Sequence, residues 1–329
     1  SVDVFVGGRS IPGNYGLTPR SFIYKNLGGG RFEDVTDAQT GPMGMVTDAK
    51  WLDIDKDGKS ELIVVGEWMT INVYKFGPTG FQILYTVPNS SGWWTSLQIA
   101  DIDDDGDMDF IAGNWGLNSK FAASPQRPIT MYTHDFDENK KVEPLIEWFY
   151  QKDEKAYPFA TKADLTSQLP FLKKKVLKYK DFANSQIKDL IEPSVLSVAD
   201  KKSVVTLQSV FLINDNGVLT LNPLPNECQH TPIFASVLAD IDGDGCNDIF
   251  FGGNFYRLKP EVGRQDGNRG GYLKGDCKGN FQYILPKESG ISLIGEVRDA
   301  KIINNNLWIA RNNDSVKIYK LNQYKQELN

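Results

Sequence analysis

Histidine is nearly missing from this 329-residue chain, which has only His134 and His230. Neither stands in a nucleophile or metal-ligand spacing, so both are read as surface or packing residues, and histidine-based acid–base or zinc chemistry finds no footing. Cysteine is scarce too. Cys228, Cys246 and Cys277 show no CxxC spacing, and an odd count excludes a full disulfide framework while leaving room for one bridge that the spacing does not mark. No run of about 18 apolar residues occurs, so no membrane-spanning helix is expected. Positive charge is in deficit, with 36 Lys and Arg against 42 Asp and Glu and a net charge of -6. No basic stripe accompanies the aromatics, which disfavours a nucleic-acid partner.

What is present is a recurring acidic loop. Asp240, Asp242, Asp244 and Asp248 stand at positions 1, 3, 5 and 9 of a loop with Gly245 at position 6, and Ile249-Phe250-Phe251-Gly252-Gly253 follow. Carboxylates at these spacings place hard oxygen ligands around one small sphere, with the position-7 carbonyl of Cys246 to complete it; the pattern is that of a calcium site. Asp53, Asp55, Asp57, Lys59 and Glu61 repeat it, as do Asp101, Asp103, Asp105, Asp107 and Asp109, with Lys59 and Asp107 at position 7. A weaker fourth copy is Asp135, Asp137, Asn139, Lys141 and Glu143, where Lys140 replaces the glycine and brings a positive charge to the cage. Without a cation such clustered carboxylates repel and raise one another's pKa. Calcium is therefore expected to have a structural role.

An EF-hand shares the opening of this pattern but needs a bidentate Glu at position 12 and flanking helices. Position 12 is Val64, Ala112, Ile146 and Phe251 in the four copies. Runs rich in Val, Ile and Phe and mostly bounded by glycine are strands, so each loop is expected to close at position 9 as a hairpin. Three further strand-turn-strand units run from Ser21 to Thr36, from Val210 to Leu219 and from Gly271 to Phe281. The Gly28-Gly29-Gly30 turn in the first is followed by no GK[ST] and no helix start, so it is not a phosphate cradle.

Position-9 residues fall at 3, 61, 109, 143 and 248, with a loopless counterpart at Asn306-Leu307-Trp308-Ile309-Ala310. Spacings of this size, carrying about four strands each, read as blades of an all-β β-propeller, with about six visible and five to seven expected. Between Gly113 and Thr130 no strand is legible, which places the Asp135 loop between the outer two strands of the third blade. The whole of 1–329 is expected to be one propeller domain. Because Asp3-Val4-Phe5-Val6-Gly7-Gly8 aligns with Asp248 to Gly253, the first blade is read as truncated and the chain as part of a longer protein with an upstream targeting segment. One helical insertion is expected at 157–193, from a Thr161/Asp164 cap, Pro170 in a first turn, Phe182, Ile187, Leu190 and Ile191 at helical spacing, and Pro193 as the stop. Its lysines at 173, 174, 175, 178 and 180 read as a solvated face, with docking to an acidic partner or lipid headgroups as the alternative.

These loops, each followed by an acidic residue, short apolar strand and glycine, together with the Tyr24-to-Phe32 hairpin and Gly113-Asn114-Trp115-Gly116-Leu117-Asn118, resemble the FG-GAP/VCBS repeat family. Pro12 to Arg20, Gly92-Trp93-Trp94 and Leu169 to Lys175 are similar to the C-terminal propeller of large bacterial VCBS-repeat surface proteins with an ASPIC/UnbV-type region. The resemblance implies calcium at the full loops, and Lys140 departs from the pattern. It implies a non-catalytic, extracellular or outer-membrane lipoprotein of a Gram-negative bacterium that binds or scaffolds, as an accessory of TonB-dependent nutrient uptake recognising protein or glycan.

If the loops mark one propeller face, the residues six places after position 9 emerge on the other: Arg9, Glu67, Trp115, Phe149, Asn254 and Asn312. Arg9, Trp68, Asn114, Trp115 and Asn254 are the candidate ligand-binding set, aromatic faces suiting a glycan or peptide. The competing reading packs all seven tryptophans between blades. The enzymatic alternative is a propeller polysaccharide lyase or hydrolase. No catalytic residue is assigned, because every conspicuous carboxylate cluster is committed to a loop.

Overall fold

The computed structural model describes residues 3–38, 40–77, 80–150 and 153–321. The protein is mostly β, and among the described residues its short antiparallel strands form six small sheets. The first is β1 (Val4–Val6), β2 (Phe22–Gly28) and β3 (Arg31–Asp34) in that order. Gly28, Gly29 and Gly30 turn β2 into β3 with φ of 81°, 60° and 75°, a left-handed run that residues with a Cβ resist. Next come β4 (Met45–Leu52), β5 (Glu61–Met69), β6 (Asn72–Gly77) and β7 (Gly80–Thr86) in order, with β8 (Gly92–Trp93) added to β5.

The chain then builds β9 (Ser96–Ala100) and β10 (Asp109–Gly113) and leaves them. It forms β11 (Ile129–His134), β12 (Glu143–Trp148) and β13 (Tyr157–Pro158), then five short helices and β14 (Asp200–Val204), as a separate sheet ordered β13-β12-β11-β14. Only then do β15 (Val210–Asp215) and β16 (Val218–Pro223) return to complete the order β9-β10-β15-β16. The Asp135 loop therefore does not join the outer strands of the β10 sheet, as the missing strand signal before Thr130 had suggested. It joins the two central strands of its own sheet. The partner of β10 lies about 100 residues downstream, and such long-range pairing leaves no local trace.

Two further sheets follow: β17 (Ile233–Ala239), β18 (Asp248–Gly253), β19 (Gly271–Gly275) and β20 (Phe281–Ile284) in order, and β21 (Val297–Ile303), β22 (Asn306–Arg311) and β23 (Lys317–Lys320) in order. A short helix, α6 (Pro286–Ser289), lies between β20 and β21.

The described chain forms two compact units. One comprises Ser1–Ala49, Val64–Trp93 and Phe121–Thr206, the other Lys50–Ile63, Trp94–Lys120 and Leu207–Asn329. In the second unit the β17–β20 sheet is apolar on both faces, and period-two alternation divides its residues between two cores. Phe250 and Tyr272 face Val297, Leu307 and Ile309. Ile249, Phe251 and Leu273 face Ile111, Phe211 and Ile233. Phe250 and Phe251 of β18 are fully buried, and each contributes roughly 2–3 kcal/mol from burial. Glycine ends β10 and β18 for a packing reason: a Cβ on Gly113 would lie 2.1 Å from the Ile233 carbonyl oxygen, and one on Gly253 1.6 Å from that of Pro232.

In the first unit the helices are α1 (Lys162–Gln168), α2 (Leu172–Lys175), α3 (Tyr179–Ala183), α4 (Ile187–Leu190) and α5 (Pro193–Leu196). Thr161 caps α1 by accepting the amide of Asp164. Leu165, Leu169, Leu172, Val176, Ile187, Leu190 and Ile191 bury themselves against Phe136 and Leu145 of the β11–β12 hairpin. Tyr157 and Pro158 are strand, so the helices begin after them. Pro193 starts α5 instead of ending the stretch, because at N1 its missing N–H has no helical acceptor to lose.

Candidate metal centres

The four acidic loops share one backbone. Position 9 opens the second strand directly opposite the residue before position 1: Asp109 pairs with Ala100, Glu143 with His134 and Asp248 with Ala239. Positions 4 and 6 are left-handed in every loop. At position 4 these are Lys56, Asp104, Glu138 and Gly243; at position 6 they are Gly58, Gly106, Lys140 and Gly245. Lys140 thus adopts the glycine conformation at φ 68°, at a strain of roughly 1–2 kcal/mol for a residue with a Cβ.

Backbone amides aim the carboxylates inward. At position 1, Asp53 accepts from the amides of Asp57 and Gly58 at 3.1 and 2.9 Å. Asp135 accepts from Asn139 and Lys140 at 2.9 and 2.8 Å, and Asp240 from Gly243 and Gly245 at 2.7 and 3.1 Å. At position 5, Asp57, Asp105, Asn139 and Asp244 each accept the amide of position 7, from Lys59, Asp107, Lys141 and Cys246 at 2.8–2.9 Å. Position 9 is buried throughout. Glu61, Asp109, Glu143 and Asp248 each accept the amide of position 2, at 3.1, 2.8, 3.1 and 3.0 Å.

Ligand oxygens converge as a result. In each of four groups, Asp53/Asp55/Asp57, Asp101/Asp103/Asp109, Asp135/Asp137/Glu143 and Asp240/Asp242/Asp248, one oxygen per residue lies within 4.8 Å of the others. Buried oxygens without a hydrogen-bond partner test whether a cation fits, since such atoms are rare and costly. Oδ1 of Asp101 and Oδ1 of Asp137 are both of this kind. Hard oxygens at this spacing suit a cation such as calcium.

Electrostatics point the same way. Burial, followed by Asp103 and Asp105 as the charged neighbours, pushes the Asp109 carboxyl up to about 6 against the hydrogen bonds that lower it. Burial likewise raises Asp103, Glu143 and Asp248. Two lysines partly offset this charge. Lys56, from the first loop, pairs with the Asp107 side chain of the second and holds that carboxyl low, so position 7 there has only its carbonyl to offer a metal. Lys274 on β19 pairs with Asp242 and lies 2.8 Å from Asp244, which it lowers.

The loops are also tied to neighbouring strands. Asn214 of β15 donates its amide to Asp109 at 2.8 Å and its side-chain Nδ2 to the Ile54 carbonyl at 3.0 Å, linking the first two loops. Asp248 accepts from the Gly275 amide at 3.0 Å and the Tyr272 hydroxyl at 2.8 Å. A disulfide joins Cys246, at position 7 of the Asp240 loop, to Cys277 in the β19–β20 turn, and Cys228 is buried and free.

Of the ligand-face candidates, Arg9 and Trp68 meet in the first unit. Arg9 pairs with Glu67, the Tyr15 hydroxyl donates to Glu67 at 3.1 Å, and Trp68 Nε1 donates to Tyr15 at 2.9 Å. Trp68 is only 4% exposed and sits edge-on to Trp93. In the second unit Asn114 and Asn254 are buried. Asn114 bridges the Gln208 carbonyl and the Trp115 amide, while Asn254 bridges Asn268 and Gly295. These amides are internal struts. Exposed surface is left to Arg9 and to half-buried Trp115, whose ring meets Phe255 edge-on.

Residues 53–112 match the FG-GAP-like repeat. That repeat runs from the first ligand of the Asp53 loop to Ala112, one residue short of the end of β10, and so contains two of the four acidic loops. No curated protein sequence matches the chain. Among solved structures, the chain is similar to an Agrocybe aegerita lectin described as specifically recognising non-reducing terminal N-acetylglucosamine. The identity is 13%, covering 96% of this chain and 79% of that one, with a TM-score of 0.28. A likeness that slight carries no functional argument.

The carboxylates of the four loops are legible in residue order, and the groups that support them are not. Asn214, Tyr272 and Cys277 lie far along the chain from the loops they hold, and Lys56, although inside the Asp53 loop, pairs with Asp107 of the next loop, a partner that spacing does not mark.

Proposed function

We propose that the chain is a non-catalytic β-propeller of six blades whose Asp53, Asp101, Asp135 and Asp240 loops bind calcium as structural clamps. The reading is carried by the shared loop backbone with buried, unpartnered oxygens at Asp101 and Asp137. Bound calcium would offset the desolvation and the carboxylate repulsion that raise Asp103, Asp109 and Asp248. The Cys246–Cys277 bridge supports an oxidising, extracytoplasmic setting, and calcium sites of extracellular modules are weak enough to be filled only there. Commitment of the acidic clusters to loops favours a binding or scaffolding role over catalysis. The accessory role in outer-membrane nutrient uptake, with a protein or glycan as target, rests on the resemblance of Pro12–Arg20, Gly92–Trp94 and Leu169–Lys175. No helix among the described residues is long and apolar enough to cross a membrane.

Calcium titration by calorimetry tests the reading. Binding at more than one site, lost in stages when Asp53, Asp101 and Asp240 are each changed to Ala, is expected; heats no larger than those of dilution would reject it.

A further inference from the structure

The helical segment 171–180 presents a surface that the metal loops do not explain. From Leu165 to Lys180 the sequence holds five lysines and no Asp or Glu, in a chain with a net charge of -6. Leu172 and Val176, at 1% and 5% exposure, anchor the segment in the core beneath it. Between and beyond these anchors, Phe171, Leu177 and Tyr179 stand out at 42%, 75% and 70% exposure. Single exposed apolar residues are ordinary, but three within nine residues, interleaved with lysines, form a patch.

The patch is held in place. Lys162 donates to the Leu177 carbonyl at 2.9 Å and lies 4.7 Å above the Tyr179 ring. Nearby acids are mostly engaged: Glu192 pairs with Lys175 at 3.2 Å, Asp164 binds Thr161, and Asp189 accepts the Gln186 amide. Asp181 remains as the local counter-charge. Among the described residues, Lys173, Lys174, Lys178 and Lys180 form no ion pair.

We propose that this segment docks the protein onto an anionic lipid bilayer. Lysines would meet headgroup phosphates while Leu177, Tyr179 and Phe171 enter the interface, the pairing of basic charge with aromatic and aliphatic side chains that suits a membrane surface. Charge complementarity alone would suit an acidic protein equally; the exposed leucine and rings favour lipid.

Co-sedimentation of the full chain with phosphatidylcholine vesicles, with and without phosphatidylglycerol, tests this. Binding only to the anionic vesicles is expected, weakening as salt rises. Lys173→Glu with Lys174→Glu should reduce it by more than tenfold, at about fivefold per lysine removed. Leu177→Ser with Tyr179→Ser should also weaken it while the circular dichroism spectrum and melting temperature stay unchanged. Failure to bind anionic vesicles overturns the proposal. So does binding that ignores the Leu177 and Tyr179 changes and is competed equally by soluble polyglutamate, which would identify an acidic protein partner instead.

Discussion

Two hairpins of the second unit do the same topological job with opposite chemistry. The β17–β18 connection is the acidic loop from Asp240 to Asp248, while β21–β22 is closed by Asn304 and Asn305 alone, at φ 49° and 58°. Asparagine tolerates that left-handed pair, the conformation of a tight type I′ turn that matches strand twist. Strand pairing here therefore needs no cation. What the acidic loop adds is connection, because Asp248 also binds Gly275 and Tyr272 of β19, and Cys246 is bridged to the β19–β20 turn. The liability is buried negative charge, which a bound cation would neutralise.

Chelation should separate the two hairpins most visibly. A site filled at a hundredfold excess over Kd stabilises by about 2.7 kcal/mol, and roughly 2–4 °C follows per kcal/mol. Removing calcium from several loops should lower the melting temperature by on the order of 10 °C. Hydrogen exchange should rise at Leu238 and Ile249 but hold at Ile302 and Leu307. An equal rise in both hairpins would erase the distinction.

Next in size is Asp248→Ala, which strands the buried donors of Ile241, Gly275 and Tyr272. At about 1–3 kcal/mol for each buried group left unsatisfied, a loss of 3 kcal/mol or more is expected in urea unfolding. Asn304→Ala should stay within about 1–2 kcal/mol, the left-handed strain of one residue.

A pH effect follows from Asp109. Its folded pKa, pushed up to about 6 chiefly by burial, lies above the unfolded value. Between pH 4 and 6 the native state thus holds the extra proton, so calcium-free protein should lose stability as pH rises through this window. Calcium competes with that proton, so affinity at the Asp101 loop should fall as pH drops below about 6. Urea unfolding of calcium-free protein across pH 4 to 6 would read the first trend, with a stability that does not fall contradicting it, and terbium luminescence titrations at pH 5 and 7 would read the second, with affinity independent of pH contradicting it.

Lys274→Met should tighten cation binding at the Asp240 loop severalfold in the same titration, because the ammonium that holds Asp242 and Asp244 is gone. Weaker binding would mean that Lys274 positions these ligands. The smallest change is expected from Lys140→Gly, which relieves left-handed strain and should add about 1 kcal/mol of stability.

Much of this was legible in residue order. The alternation of carboxylates with a glycine at position 6 is a local code, since each side chain binds amides two to seven residues away in the same loop. The apolar strands after position 9 were equally local. Lys140 disturbed the code without changing the backbone, because the flanking strands and the amides around Asp135 hold the turn.

The sequence by itself determined the four loops, their strands and the lysine-rich helical stretch. Tertiary structure alone decided that β10 pairs with β15, that Asn214 joins two loops and that Cys246 finds Cys277. It also turned Asn114 and Asn254 inward, where close backbone approach leaves amides and carbonyls to satisfy. Contacts within a loop depend on spacing along the chain, whereas these depend on which distant strands come to lie side by side, and spacing does not record that.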